Sequence, residues 1–365
     1  MCTFQTSITP WKNNARAALT LSFDGGYTTT YNLAMEVLLK YKMPATWFIV
    51  TGFIGGSLQG RPVVNWEELK KISSDMEIGS HTITHPKLAV PFRRQFLQYV
   101  RSSITKAWKF FTPNGATKLR KAVSNAYKQT QGVDYTKVLS EAVESKAIIE
   151  HRLKIQGAVI SFAYPGGRYN SKLKKGIKEA GYLSARSTEG GYNFPDSLDF
   201  YALKSKVWNV TVNAERANRW VDDVIKKGAW LIETYHVISG DGATGYHYDT
   251  AVLDLDAHLG YVASKNIWVD TQGSILKYVK ERNVTKIKLD IVSIEKIVLL
   301  VENDLDPNIY DQPLTLKTTV PTSWSRVKIE QAGNTQEVLP LKENNKLYVY
   351  YNILPNKGKI TITPL

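Results

Sequence analysis

The chain has 365 residues and a net charge of +14, and 43% of its residues are hydrophobic. This composition is typical of a globular protein, and the length predicts two domains, or one large domain with an appendage. The single cysteine excludes an intramolecular disulfide, and the longest apolar runs, such as 45–50, are far too short to cross a membrane.

The first residues show neither a basic region nor an apolar region of a signal peptide. A secreted protein whose leader had been removed would look the same, so the compartment stays open. Cys2 is either the acylated cysteine of a lipoprotein or an ordinary terminal thiol.

The first 285 residues alternate between strand-like and helix-like segments. Strands are predicted at 18–23, 45–50, 77–79, 158–163, 182–186 and 230–234. Helices are predicted at 31–41, 66–74, 172–180, 251–263 and 275–281. This alternation predicts a parallel α/β fold, either a barrel or an open sheet.

A basic segment interrupts this alternation at about 90–135. Residues 86–133 carry ten basic and no acidic side chains, whereas the rest of the chain carries 37 basic against 33 acidic residues. The spacing predicts an amphipathic helix over 92–111 and a second helix over 117–128. Either this insertion packs on the main fold with solvated cations, or it is an arm that attracts an anionic cell-wall polymer, lipid surface or nucleic acid.

The pattern changes in the last 80 residues. Short strand-like runs separated by turn residues occur at 286–291, 297–301, 314–319, 325–329, 347–351 and 359–362. The sequence therefore predicts domains at 1–285 and 286–365, the second a β-sandwich that serves either binding or packing.

Four candidate site residues follow four different predicted strands. They are Asp24, His81, Pro165 and His236, and His85 lies four residues after His81. In α/β barrels catalytic groups converge at the carboxyl ends of the strands. Two histidines and a carboxylate at that edge are parts of a hydrolytic metal site. Taken singly, the histidine pair is typical of surface residues, and His236 is compatible with a histidine satisfied at a strand end. Asp24 is equally compatible with a turn or cap residue, and the Pro165 segment with a plain Pro-Gly-Gly turn.

These residues lie in segments that resemble the motifs of the polysaccharide deacetylases, carbohydrate esterase family 4. The resembling segments, in order, are SFD at 22–24, EIGSHTITHP at 77–86, FAYPGGR at 162–168 and LIETYH at 231–236. The resemblance covers about residues 15–285 and implies a distorted (β/α) barrel. The ordered set is specific, whereas the histidine pair alone is not.

The resemblance also implies a role for each residue. His81 and His85 would bind a divalent metal, with zinc the expected ion, and Asp24 would be the catalytic base. His236 would be the general acid. Tyr164, Pro165, Gly166 and Arg168 belong to the oxyanion and substrate region, with a backbone N–H near Gly166 as the oxyanion donor.

The sequence departs from the family pattern at three points. Gly25 occupies the place of the aspartate that is normally the third metal ligand, so Asp241 and His247 are candidate replacements. Ala163 stands where many members carry an arginine that orients the base; Arg168 or Arg186 would substitute, although both are expected to be surface cations. The family's fourth motif has no clear match.

The leading hypothesis is a metal-dependent deacetylase acting on an acetylated N-acetylhexosamine polysaccharide, with peptidoglycan favoured because the basic arm suits an anionic envelope. Chitin-like glycans and O-acetylated xylan are alternatives. Gly25 motivates a second hypothesis, a catalytically silent glycan-binding protein. Nucleic-acid binding is disfavoured because no such motif is present. The expected location is secreted, periplasmic or attached to the cell envelope.

Overall fold

A computed structural model describes residues 4–86, 135–242 and 244–365. Cys2 and, except for its last residue, the predicted helical insertion at about 90–135 lie outside the described residues. No helix in the described part of the chain is long and apolar enough to cross a membrane.

The described strands are β1 (Thr6–Ile8), β2 (Ala18–Asp24), β3 (Ala45–Ile49), β4 (Ser57–Leu58), β5 (Arg61–Pro62), β6 (Glu77–Ser80), β7 (Ser161–Ala163), β8 (Ser184–Arg186), β9 (Lys206–Val207), β10 (Trp230–Tyr235), β11 (Val237–Ser239), β12 (Asp249–Ala251), β13 (Trp268–Val269), β14 (Lys286–Val292), β15 (Ile297–Glu302), β16 (Leu314–Val320), β17 (Val327–Gln331), β18 (Asn334–Val338), β19 (Leu341–Glu343), β20 (Lys346–Ile353) and β21 (Ile360–Pro364). The described α-helices are α1 (Thr28–Tyr41), α2 (Trp66–Asp75), α3 (Tyr135–Leu153), α4 (Ser171–Glu179), α5 (Ala214–Lys227), α6 (Val252–Ala263) and α7 (Gln272–Val284).

Eight strands form one curled parallel sheet, a half-barrel. Its order is β8-β7-β6-β3-β2-β10-β9, and β13 also pairs with β2. Every residue of β2 and β10 is buried, which suits the continuous apolar runs of central strands covered on both faces. The predicted α/β barrel fold is confirmed.

Local sequence signals define the ends of the helices around this sheet. Asn65 caps α2 by accepting from the N–H groups of Glu67 and Glu68, and the Glu68 side chain accepts from the Asn65 N–H in return. Gly228 ends α5 with a φ of +63°, a left-handed conformation that glycine adopts without strain. Helices α3 and α5 were not predicted from the sequence.

The C-terminal strands form two antiparallel sheets, ordered β1-β16-β20-β19 and β14-β15-β21-β17-β18. Buried side chains of both sheets, such as Leu316, Val349, Leu299 and Ile362, belong to one apolar core, as in a β-sandwich. The division into domains at 1–285 and 286–365 stays a prediction. Strand β1 pairs with β16, so the start of the chain contributes a strand to a C-terminal sheet.

The same apolar core extends into the half-barrel. It includes Trp230 and Ile232 of β10 and Ile275 and Tyr278 of α7. Helix α7 therefore packs between the parallel sheet and the sandwich.

Glu281 of α7 is a buried carboxyl group at this junction. It is 1% exposed, and its Oε1 accepts a hydrogen bond of 3.0 Å from the backbone N–H of Gln312. Burial disfavours the charged form and raises the pKa of Glu281 to about 7. The folded chain therefore binds this proton more tightly than the unfolded chain does, and this difference stabilises the folded state at low pH. The contribution to the free energy of unfolding is lost as the pH rises towards 7.

Glu281→Gln is expected to remove this pH dependence, because glutamine keeps the hydrogen-bond acceptor and cannot ionise. Between pH 5 and pH 8 the unfolding free energy of the unaltered chain should fall by about 1–2 kcal/mol. The variant should not show this decrease. Urea unfolding at both pH values measures the difference. Glu302→Gln, an exposed carboxylate on β15, is the control, and equal pH dependence in all three proteins would contradict the assignment.

Candidate active site

The four residues that follow predicted strands do meet at one edge of the half-barrel. Asp24 ends β2, His81 directly follows β6, Pro165 lies two residues after β7, and His236 directly follows β10. Because these strands are parallel, their carboxyl ends lie at the same edge of the sheet.

A cavity of about 320 Å³ lies at this edge. The predicted residues that line it are Asp24, His81, His85, Tyr164, Gly166 and His236. Pro165 is buried and Arg168 is exposed, and neither is among the residues of the cavity wall. Tyr27, Tyr246 and Tyr248 add an aromatic wall that the sequence did not reveal.

Arg186, the last residue of β8, holds Asp24. Its Nη2 lies 2.6 Å from both carboxylate oxygens, and the two side chains are 0% and 4% exposed. The expectation that Arg186 is a surface cation is wrong, because the curl of the sheet brings the end of β8 to the end of β2. Burial favours neutral Asp24, but the positive charge of the Arg186 guanidinium outweighs it and lowers the pKa of Asp24.

The His81 ring is fixed by the backbone of the neighbouring strand. Its Nδ1 lies 2.8 Å from the carbonyl oxygen of Ala163, so Nδ1 carries the proton and Nε2 presents a lone pair. That Nε2 lies 3.8 Å from Oδ2 of Asp24. Burial lowers the pKa of His81 to about 3, so the imidazole is neutral at pH 7.

The loop after His81 places His85 beside it. Thr82 and His85 have φ values of +68° and +51°, and the two imidazole centroids are 4.7 Å apart. Glu141 of α3 stabilises this turn by accepting from the N–H groups of Ile83 and Thr84 at 3.2 and 2.8 Å. Burial also lowers the pKa of His85, so both histidines are available as neutral donors.

Two neutral imidazoles, one oriented by a backbone carbonyl, fit the binding of a divalent cation. Among the described residues, however, no third histidine, cysteine, aspartate or glutamate joins them in a metal-binding group. Asp241 and His247 are exposed and do not belong to the cavity wall. The described residues thus offer two histidines as donors at this position.

Gly25 lines the cavity at a position that has no room for a side chain. Its φ is +93°, and a Cβ atom at this position would lie 2.8 Å from Cε2 of Tyr27, which is buried. An aspartate at this position would therefore meet both backbone strain and a steric clash.

Gly25→Asp is thus expected to destabilise the chain by about 1–3 kcal/mol rather than simply add a ligand. Zinc affinity is measured by calorimetric titration, and the free energy of unfolding is measured by urea denaturation. Gly190→Asp is the matched control, because a Cβ at Gly190 meets no atom within 4 Å. Tighter zinc binding without loss of stability would contradict this reading of Gly25.

The turn after β7 also depends on its glycines. Gly166 has a φ of +59° at the cavity wall, where an added Cβ would meet no atom within 4 Å. A Cβ on Gly167 would lie 2.0 Å from Oγ1 of Thr188. Gly166 therefore leaves room for a substrate next to a backbone N–H, and Gly167 allows close packing.

His236 faces Asp24 from the other side of the cavity. Its Nε2 lies 3.9 Å from Oδ2 of Asp24, and its ring stacks on Tyr248 at 4.8 Å. Burial lowers the pKa of His236 to about 4, so the resting imidazole is neutral at pH 7. A proton must reach it before it acts as an acid.

The half-barrel thus carries one carboxylate and three histidines around the cavity at its carboxyl edge. Residues 12–185 match the family model described as polysaccharide deacetylase. Over this segment the chain is similar to the polysaccharide deacetylase family.

Two curated relatives extend the comparison. A gellan lyase of a Bacillus species is 21% identical over 97% of this chain, and the match covers 13% of that protein. YxkH of Bacillus subtilis strain 168, a polysaccharide deacetylase by name, is 29% identical over 54% of this chain and 53% of its own length. The chain thus spans about an eighth of the length of the gellan lyase and about half of the length of YxkH.

A solved structure from Mycobacterium smegmatis, also a polysaccharide deacetylase by name, superposes with a TM-score of 0.48. It is 13% identical, and the match covers 79% of this chain and 98% of that one.

Proposed function

We propose that this protein is a metal-dependent deacetylase that hydrolyses N-acetyl groups of an N-acetylhexosamine polysaccharide, with peptidoglycan as the favoured substrate. The observation that carries the proposal is the meeting of Asp24, His81, His85 and His236 around one cavity in a chain that matches the polysaccharide deacetylase model over residues 12–185.

His81 and His85 would hold the divalent cation, zinc being the expected ion. When bound, it would polarise the acetyl carbonyl and lower the pKa of a water molecule. Asp24, kept ionised by Arg186, would take the proton of the attacking water. A backbone N–H near Gly166 would stabilise the developing oxyanion.

His236 would complete the reaction by donating a proton to the leaving nitrogen. Its Nε2 and the Asp24 carboxylate lie 3.9 Å apart, so both groups reach the same reacting centre. The aromatic wall of Tyr27, Tyr246 and Tyr248 would support the sugar ring beside the acetyl group.

The choice of peptidoglycan is supported by the ten basic residues of 86–133, which would attract an anionic cell-wall polymer or membrane surface. A secreted, periplasmic or envelope-attached location is proposed on the same ground.

Acetate release from peptidoglycan, chitin oligomers and acetylated xylan, each with added zinc, tests the proposal. Release from an N-acetylated glycan is expected. Release from xylan alone would favour an O-acetyl esterase. An alkoxide leaving group depends less on protonation by His236 than an amine leaving group does, and His236 is neutral at pH 7. No acetate from any of these substrates would exclude both activities.

A catalytically silent glycan-binding protein is the second candidate, favoured by Gly25 and by the two-histidine donor set. It predicts saturable glycan binding without turnover in excess zinc. Turnover by the unaltered protein would exclude it.

A further inference from the structure

Tyr248 contacts His236 in a way that the roles above do not explain. The two rings are 4.8 Å apart with an interplanar angle of 24°, which is a stacked arrangement. Tyr248 comes from the loop after β11, is 37% exposed, and lines the same cavity.

The opposite nitrogen of His236, Nδ1, is buried and is not hydrogen-bonded within the part of the chain that the structure describes. A histidine that transfers protons is ordinarily oriented by a hydrogen bond at the nitrogen that does not react. Here the protein provides an aromatic face instead.

Tyr248 is itself firmly anchored. Its carbonyl oxygen accepts a hydrogen bond of 3.3 Å from the N–H of Val237, the residue after His236. The next residue, Asp249, is 1% exposed and accepts from the Ser239 hydroxyl at 2.8 Å and from the Thr244 N–H at 2.8 Å. The backbone on either side of the stacked pair is therefore held in one arrangement.

We infer that Tyr248 is a positioning residue, whose ring sets the plane of the His236 imidazole and so aims Nε2 at the leaving group. This inference rests on the proposed deacetylase function. In the step concerned, the C–N bond breaks, its electron pair goes to nitrogen, and the proton on Nε2 moves to that nitrogen. The products are acetate, the free amine and neutral imidazole.

The leaving group provides a test that a merely structural role would not pass. An amine must be protonated as it leaves, whereas 4-nitrophenolate leaves without a proton. Tyr248→Ala is expected to lower kcat about tenfold on an N-acetylglucosamine oligomer and by less than about twofold on 4-nitrophenyl acetate, because general acid catalysis contributes about 10²–10⁴-fold. Tyr248→Phe keeps the stacked ring and should restore most of the kcat that Tyr248→Ala loses on the oligomer.

Tyr246→Ala is the matched comparison. Tyr246 lines the cavity and meets Tyr248 edge-on at 5.7 Å. Its loss should raise KM for the N-acetylglucosamine oligomer, without the selective loss of kcat on that substrate that is expected of Tyr248→Ala. In His236→Ala, adding Tyr248→Ala should cause no further loss of kcat.

Imidazole NMR of the Tyr248→Ala variant adds a readout that needs no turnover, since loss of the stacked ring should shift the His236 ring protons. Equal losses on both substrates, or no loss, would overturn the inference alone. No acetate release by the unaltered protein would overturn the proposed function and the inference with it, while the NMR shift would still report the stacking.

Discussion

Asp24→Asn is expected to lower the rate of acetate release by about 10²–10⁴-fold, because the amide cannot accept the proton of the attacking water. KM should change little, since Asp24 acts on water rather than on the sugar. Steady-state kinetics with an N-acetylglucosamine oligomer measure both parameters, and circular dichroism verifies the fold.

Asp256→Asn is the control for this substitution. Asp256 forms a surface ion pair with Lys40, away from the residues of the cavity wall. It should retain full activity. An active Asp24→Asn protein would show that another group is the base.

Arg186→Met should have the largest effect on stability. It leaves the carboxylate of Asp24 buried without its partner, and breaking a buried ion pair from one side costs about 3–5 kcal/mol. Burial would then dominate, the pKa of Asp24 would rise, and any remaining activity would require a higher pH. Urea unfolding and a pH profile of kcat measure the two consequences.

The double variant Asp24→Asn/Arg186→Met separates charge burial from packing. It should recover part of the stability lost in Arg186→Met, because neither charge remains buried. Arg219→Met, which breaks an exposed pair with Glu215, should cost less than about 1 kcal/mol. Equal costs for Arg186→Met and Arg219→Met would contradict the buried pair.

The sequence was sufficient to predict the residues that lie directly at strand ends. Asp24 and His236 each follow a strand-like run rich in apolar residues, and His81 follows the short segment EIGS. The carboxyl ends of parallel strands meet whatever the length of the connections. The α/β alternation and most strands were predictable for the same reason, since their apolar runs are long relative to turn segments.

Contacts that depend on the curl of the sheet or on long connections were not predictable. Arg186 and Asp24 are 162 residues apart, and nothing local marks a buried arginine at the end of β8. Helix α3, whose Glu141 supports the histidine loop, follows the basic segment and carries many charges. The position of β1 in a C-terminal sheet depends on pairing with a strand about 310 residues away.

The most direct test of the central claim is acetate release during zinc titration of the metal-stripped protein. The site formed by Asp24, His81, His85 and His236 predicts turnover that rises with zinc and saturates at one ion per chain, and that is absent from His81→Ala. Acetate release that persists in excess chelator, or no release at saturating zinc, would contradict the claim.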